Sequence, residues 1–93
     1  MKREGKIYWL KQDEGGLPHL PTADPLYAVT FLPQATPSWW SIKMFILEPG
    51  KYVSDCLVSF LFDHAPYNIL NSTNSIDVYA GKNKIGTIYF PQK

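Results

Sequence analysis

The sequence predicts one all-β domain of six antiparallel strands with at most one short helical turn, and three observations lead there. Eight prolines and six glycines are spread along all 93 residues, so no stretch free of both keeps a helical apolar repeat for three or four turns. Six runs rich in β-branched and aromatic residues fit a pleated, half-buried surface. Between them stand Gly-Gly, Pro-Gly and Gly-Lys-Asn segments whose residues favour tight turns.

The first strand is expected over 6–11, Lys-Ile-Tyr-Trp-Leu-Lys, ending at the polar Gln-Asp-Glu-Gly-Gly. Residues 17–25 hold three prolines without periodicity and read as the longest irregular loop. A second strand spans 26–32, with Tyr27, Val29 and Phe31 on one face. In a third strand, over 39–47, Trp40, Ile42, Met44 and Ile46 share the parity assigned to the core, which leaves Trp39 on the other face. Glu48-Pro49-Gly50-Lys51 is a compact turn into a long strand over 52–62, apolar enough on both parities for both faces to be expected buried. A helical turn over 67–74 precedes two closing strands, 75–80 and 84–90, joined by a three-residue loop at 81–83. Such spacing suits a small antiparallel barrel or sandwich. No linker or internal repeat divides the chain, so 1–93 is read as a single domain.

Composition narrows the function classes. An apolar fraction of 45% with 18% charged residues belongs to a chain that folds. The net charge of +1 gives no concentrated positive field for nucleic-acid phosphates, and Lys2, Arg3 and Lys6 at the start read as solvated charge. Cys56 is the only cysteine, so no internal disulfide forms, and a reducing, cytoplasmic location is expected. There is no apolar run long enough for a membrane span and no signal-peptide pattern.

Candidate chemistry is sparse. His19 and His64 stand 45 residues apart with no second ligand at metal spacing, so no metal is expected. Asp63 and His64 are adjacent and read as loop polarity. Cys56 lies among Tyr52, Val58 and Phe60 and reads as an inert buried thiol. Gly15-Gly16 lacks the Lys and Ser/Thr of a phosphate loop and the third glycine of a dinucleotide turn, so no cofactor is expected. The pattern leaves aromatics outside: Trp39 above all, with Trp9, Tyr8, Tyr27, Tyr67 and Tyr89 as further candidates, and Trp and Tyr are types that anchor protein interfaces.

The order of turns resembles the C-terminal β-barrel domain of elongation factor Tu and related translation factors. Leu10-Lys11-Gln12-Asp13-Glu14-Gly15-Gly16 stands where that family has a Lys-Lys-Glu-Glu-Gly-Gly-Arg type turn. Glu48-Pro49-Gly50-Lys51 stands for its Met-Pro-Gly-Asp, and 79–87 for its closing Gly-rich hairpin. The resemblance spans nearly the whole chain and implies a Greek-key-type barrel. In the family this domain contacts tRNA and an exchange factor while a separate GTPase domain does the chemistry. The residues that would be carried over depart from the family: Leu17 replaces the arginine after Gly-Gly, and Ala23-Asp24-Pro25-Leu26-Tyr27 replaces Gly-Tyr-Arg-Pro-Gln-Phe. An acid at position 24 repels phosphate rather than binding it.

These readings make the expected function a non-enzymatic protein-binding module, most concretely a bacterial antitoxin or immunity protein that neutralises a cognate toxin. Trp39, Asp13, Glu14, Asp24 and Tyr27 are the expected contacts with one protein partner. Neither a membrane nor a small-molecule ligand is expected. The alternative is a tRNA-binding or translation-associated accessory domain, which the charge and the missing arginines disfavour.

Overall fold

Strands with one apolar parity bury it only if the sheet finds something to pack against, and here the sheet packs against itself. A computed structural model describes residues 2–22 and 24–91. Its strands are β1 (Arg3–Trp9), β2 (Leu26–Phe31), β3 (Trp39–Ile46), β4 (Val53–Phe60), β5 (Ser75–Ala80) and β6 (Asn83–Tyr89), with a helix α1 (Tyr67–Ser72) between β4 and β5. They close in the order β1-β4-β3-β2-β5-β6, every pair antiparallel. The strands β2, β3 and β4 form a meander, and β5 returns to lie beside β2, which is a Greek key. Closure leaves no edge strand to satisfy.

One parity of each strand fills the interior. The expected core face of β3 holds, with Ile42, Met44 and Ile46 buried, and it meets Ile7 of β1, Val58 of β4, Val78 of β5 and Ile88 of β6. Strand directions alternate around the barrel, so the β1–β2 connection, the β3–β4 turn and the β5–β6 turn share one end. The β2–β3 loop and the segment carrying α1 share the other. Both ends are plugged by connections: Leu17 and Leu20 pack on the core at the first end, and Leu32, Ala35 and Leu70 at the second. Ala23, part of the stretch compared with Gly-Tyr-Arg-Pro-Gln-Phe, lies outside the described residues, as do the last residues of the 1–93 domain.

Several expectations need correcting. Strand β1 begins at Arg3, because Gly5 faces inward and lets Ile88 and Phe90 approach; a Cβ there would stand 2.8 Å from Ile88 Cγ2. The same parity carries Trp9 into the core, only 7% exposed, so it is no surface aromatic. Strand β4 buries Ser54, Cys56, Val58 and Phe60 on one face, while the other runs from exposed Val53 and Asp55 to buried Ser59, because closure gives each strand a wet outer side; Leu61 and Phe62, expected in the same strand, lie beyond its end and are exposed. The β5–β6 connection has two residues, with Ala80 paired to Asn83. Gly81 has φ +63° and no described non-glycine residue has positive φ, the pattern of a type II′ hairpin turn.

Arg3 is not solvated terminal charge. Its guanidinium donates to the carbonyls of Leu70 and, at 3.0 Å, Thr73, and lies 4.1 Å from the centroid of the Phe90 ring. A cation there meets the unpaired carbonyls at the C-terminal end of α1 and ties the helix to the first strand. Burial lowers the Arg3 pKa from its ordinary value, but a guanidinium stays charged.

The thinnest seam is β2–β5, paired only at Val29–Tyr79 and Thr30–Val78. Thr30 is fully buried, and its hydroxyl donates to the Asp77 carbonyl on β5 at 2.7 Å. Thr30→Val keeps the side-chain shape and deletes the donor, so stability falls by about 1–2 kcal/mol in urea denaturation; an unchanged midpoint would show that the seam closes without this bond.

The double glycine follows a 3-10 turn, Gln12–Glu14, and closes back on it, with the Gly16 N–H donating to the Lys11 carbonyl at 2.9 Å. A Cβ on Gly16 would stand 2.1 Å from the Leu10 carbonyl oxygen, whereas one on Gly15 would meet open space. Gly16→Ala therefore lowers the melting temperature more than Gly15→Ala, which carries only the penalty of roughly 1 kcal/mol for a side chain at positive φ. Equal losses at the two positions would contradict this packing.

Candidate functional site

Residues that point inward from the strands are used up in the core, so a binding surface is built from the opposite parity and from the loops. On β2 that parity is Tyr27, Val29 and Phe31, and on β3 it begins with Trp39. Phe31 and Trp39 are directly paired across the two strands, with ring centroids 5.0 Å apart. Tyr79 of β5 comes in from the far side of β2 and meets Trp39 nearly edge-on, at 5.1 Å and 80°. The three rings form a ridge on the outer wall across the thin seam, and Trp39 in its middle is still 50% exposed.

Beside the ridge, at the end that holds α1, lies a groove of about 540 Å³. The β2–β3 loop contributes Ala35, Thr36 and Pro37, β3 contributes Trp39, Trp40 and Ser41, and the segment after β4 contributes Phe62, His64, Pro66 and Ile69. Among the described residues, no Lys, Arg, Asp or Glu lines it. Trp40 forms part of the floor, half-buried and packed on the core; its indole N–H donates to the Pro37 carbonyl at 2.7 Å. His64 leans on Trp40 and Phe62, with ring centroids 6.0 and 5.7 Å away, and is the one titratable side chain in the lining. A shallower depression of about 310 Å³, lined by Tyr27, Tyr79 and Leu61 among others, shares Ser41 with the groove.

The five expected contact residues fall into two groups. Trp39 and Tyr27 share the outer face of the β2–β3 pair, Tyr27 being 60% exposed and two outward positions along β2 from Phe31. Asp13, Glu14 and Asp24 lie on the β1–β2 connection, at the other end of the barrel from the groove. The Glu14 carboxylate accepts the Lys11 backbone N–H at 2.9 Å and so caps its own turn. Tyr79, Phe62 and His64 were not singled out as contacts, since their convergence depends on the non-local β2–β5 pairing and on the path of the loop after β4; Phe31, which pairs locally with Trp39, was missed as well.

Much of the positive charge is already engaged. Lys51 contacts Glu48 at 2.7 Å, Lys84 contacts Asp77 at 3.1 Å and Lys6 stands 3.9 Å from Asp55. The Lys51 hydrogen bond and charge hold the Glu48 carboxyl below its usual range, and Glu48 in turn raises the Lys51 ammonium. Lys2 lies over the Phe45 ring at 4.3 Å. Lys43 lies over the same ring at 5.7 Å. Among the described residues no group of three or more His, Cys, Asp or Glu is placed to hold a metal ion, and no helix is long and apolar enough to cross a membrane.

Compared with protein-family models, with curated proteins and with solved structures, the chain finds no match in any of the three. The resemblance to the elongation factor Tu barrel therefore rests on the turn motifs alone.

Cys56 points into the barrel and is fully buried. Burial pushes its thiol up to about 12 from an ordinary 9.0, with the Asp55 charge adding to the rise and a backbone hydrogen bond from Ile7 opposing it. That difference lowers the thiolate fraction at pH 8 about a thousandfold relative to the unfolded chain. Iodoacetamide should thus leave Cys56 unmodified in native protein at pH 8 and alkylate it readily in 6 M guanidinium (about the usual unfolding concentration); fast native labelling would place the thiol outside the core. Because the folded pKa is raised, the native state holds a proton that the unfolded state has released between the two values. This contribution to stability is therefore complete below pH 9.0 and is lost as pH rises towards 12.

Proposed function

We propose that the chain is a non-enzymatic protein-binding module that receives its partner on the Trp39 face. The observation that carries this reading is the state of Trp39: half-exposed, yet already held by Phe31 and Tyr79 at 5.0 and 5.1 Å. A ring fixed before binding loses little side-chain freedom when a partner covers it, and preorganised aromatics in well-packed surroundings are the usual anchors of interfaces. The adjoining uncharged groove extends the same surface and offers apolar area to bury. The concrete form we favour is an antitoxin or immunity protein in the cytoplasm whose barrel covers a cognate toxin. A scaffold shared with the elongation factor Tu barrel is part of this proposal, with its support in the Gly-Gly, Pro-Gly and hairpin turns.

The test pairs binding with stability. Trp39→Ala should weaken capture of a stoichiometric partner from the source cell by at least about tenfold while the protein keeps a cooperative melt, since two edge contacts are worth only about 1–3 kcal/mol together. Loss of folding in the variant would make Trp39 a core residue and remove the anchor. The competing RNA reading makes the opposite forecast: tRNA binding that falls steeply as salt rises and is indifferent to Trp39.

A further inference from the structure

Alternation places Glu4, Lys6 and Tyr8 on the outer side of β1, where each is exposed. Lys6 is paired with Asp55 of β4 on one side and with Tyr89 of β6 on the other. In the order of closure β1 stands three places from β2 in both directions, so this wall is opposite the Trp39 ridge. Tyr8 and Tyr89 meet with ring centroids 5.2 Å apart and planes at 90°, while remaining 44% and 51% exposed. In such a pair the edge of one ring meets the face of the other, and the corner between them is walled by two aromatic faces at right angles. Both rings, with Glu4, Lys6 and Asp55, are among the residues that line a pocket of about 260 Å³. That is below the range of clefts that hold drug-sized ligands, and it suits a small head group.

The charge in that pocket is negative on balance. Glu4 and Asp55 stand against Lys6, and among the described residues no other charged side chain lines it. Asp55 holds Lys6 only at 3.9 Å, with both side chains half-exposed, an ion pair of little strength. Glu4 has no ion pair among the described residues. The ammonium and guanidinium groups that lie over rings stand on Phe45 and Phe90, which leaves Tyr8 and Tyr89 without a cation. We propose that this corner binds a methylated ammonium group, with the tyrosine faces as walls and Glu4 and Asp55 as counter-charge. A cation over an aromatic face is attracted by the ring quadrupole, and quaternary ammonium groups are held in this way between rings. The right angle selects for shape: a planar guanidinium stacks on a single face, whereas a tetrahedral methylated ammonium touches two. A bare ammonium is strongly hydrated and favours a carboxylate, as Lys6 does in turning to Asp55 rather than to either ring.

The experiment is an NMR titration of the whole protein that follows the Tyr8 and Tyr89 ring signals, with choline as a free cation and N-acetyl-trimethyllysine methylamide as a peptide-borne one. Dimethylbutanol, in which carbon replaces the choline nitrogen, is the uncharged control. Choline is expected to bind with a dissociation constant on the order of a millimolar, to shift both rings and to leave the Trp39 indole signal in place. Dimethylbutanol should move neither ring. Tyr89→Phe keeps the aromatic face and the affinity, whereas Tyr89→Leu weakens binding about tenfold. Glu4→Gln also weakens it, and Lys6→Met, which removes the resident cation, strengthens it. Tighter binding of the lysine derivative assigns the site to a modified side chain of a partner, and tighter binding of choline assigns it to a free cation. No saturable shift with either cation, or equal shifts with dimethylbutanol, overturns the inference. So does a Tyr89→Leu variant that folds and binds choline as the original protein does.

Discussion

Everything on the Trp39 face depends on how the barrel closes between β2 and β5. Five of the six strand pairs have at least four residue pairs in register; this one has two. Inside, the Thr30 hydroxyl adds a bond to the Asp77 carbonyl in the dry interior, where an unpaired hydroxyl would be costly. Outside, Trp39 reaches from β3 across β2 to Tyr79 on β5, so the seam is fastened on both surfaces. The ring proposed as an anchor thus also bridges the seam of the fold.

The two ends of the barrel have different characters for reasons of local chemistry. At one, three connections converge: a 3-10 turn with its double glycine, a Pro-Gly turn braced by Lys51 and Glu48, and a two-residue hairpin turn. Those turns are polar and tightly bonded, and Leu47 and Tyr52 beside the Pro-Gly turn stay exposed. At the other end, proline in the β2–β3 loop and the segment around α1 breaks regular pairing, and aromatic side chains fill the irregular space. Phe60 packs on both Trp40 and Tyr67, and Arg3 holds the far end of α1 through the Leu70 and Thr73 carbonyls. The groove wall is therefore braced from the barrel wall and from the chain's first strand.

Legibility followed the range of the interactions. The core parity of β3 was readable because Trp40, Ile42, Met44 and Ile46 alternate within eight residues, and the Pro49-Gly50 turn because its preference is written in two residues, with Gly50 at φ +90°. Strand β1 was placed three residues late, since Gly5 occupies a core position without an apolar side chain. Strand β4 was read as buried on both faces because Val53, Leu57 and Leu61 are apolar, yet Val53 is exposed on the outer side and Leu61 lies past the end of the strand. Of the site, Trp39 was visible, since one of two consecutive strand residues must face outward. The grouping of Asp13, Glu14 and Asp24 with it was not, because nothing local says which connections share an end.

The sequence by itself determined the strand-and-turn grammar, the identity of the buried thiol and the presence of an outward tryptophan, all properties of periods and turn residues a few positions long. Only the tertiary structure decided that β5 returns to β2, bringing Tyr79 to Trp39. It also decided that the loop after β4 lays Phe62 and His64 opposite Trp40. Those neighbours are separated by tens of residues, and their meeting depends on the order in which antiparallel strands close a ring. Alternation of side chains is the same for any such order, so no local pattern carries it.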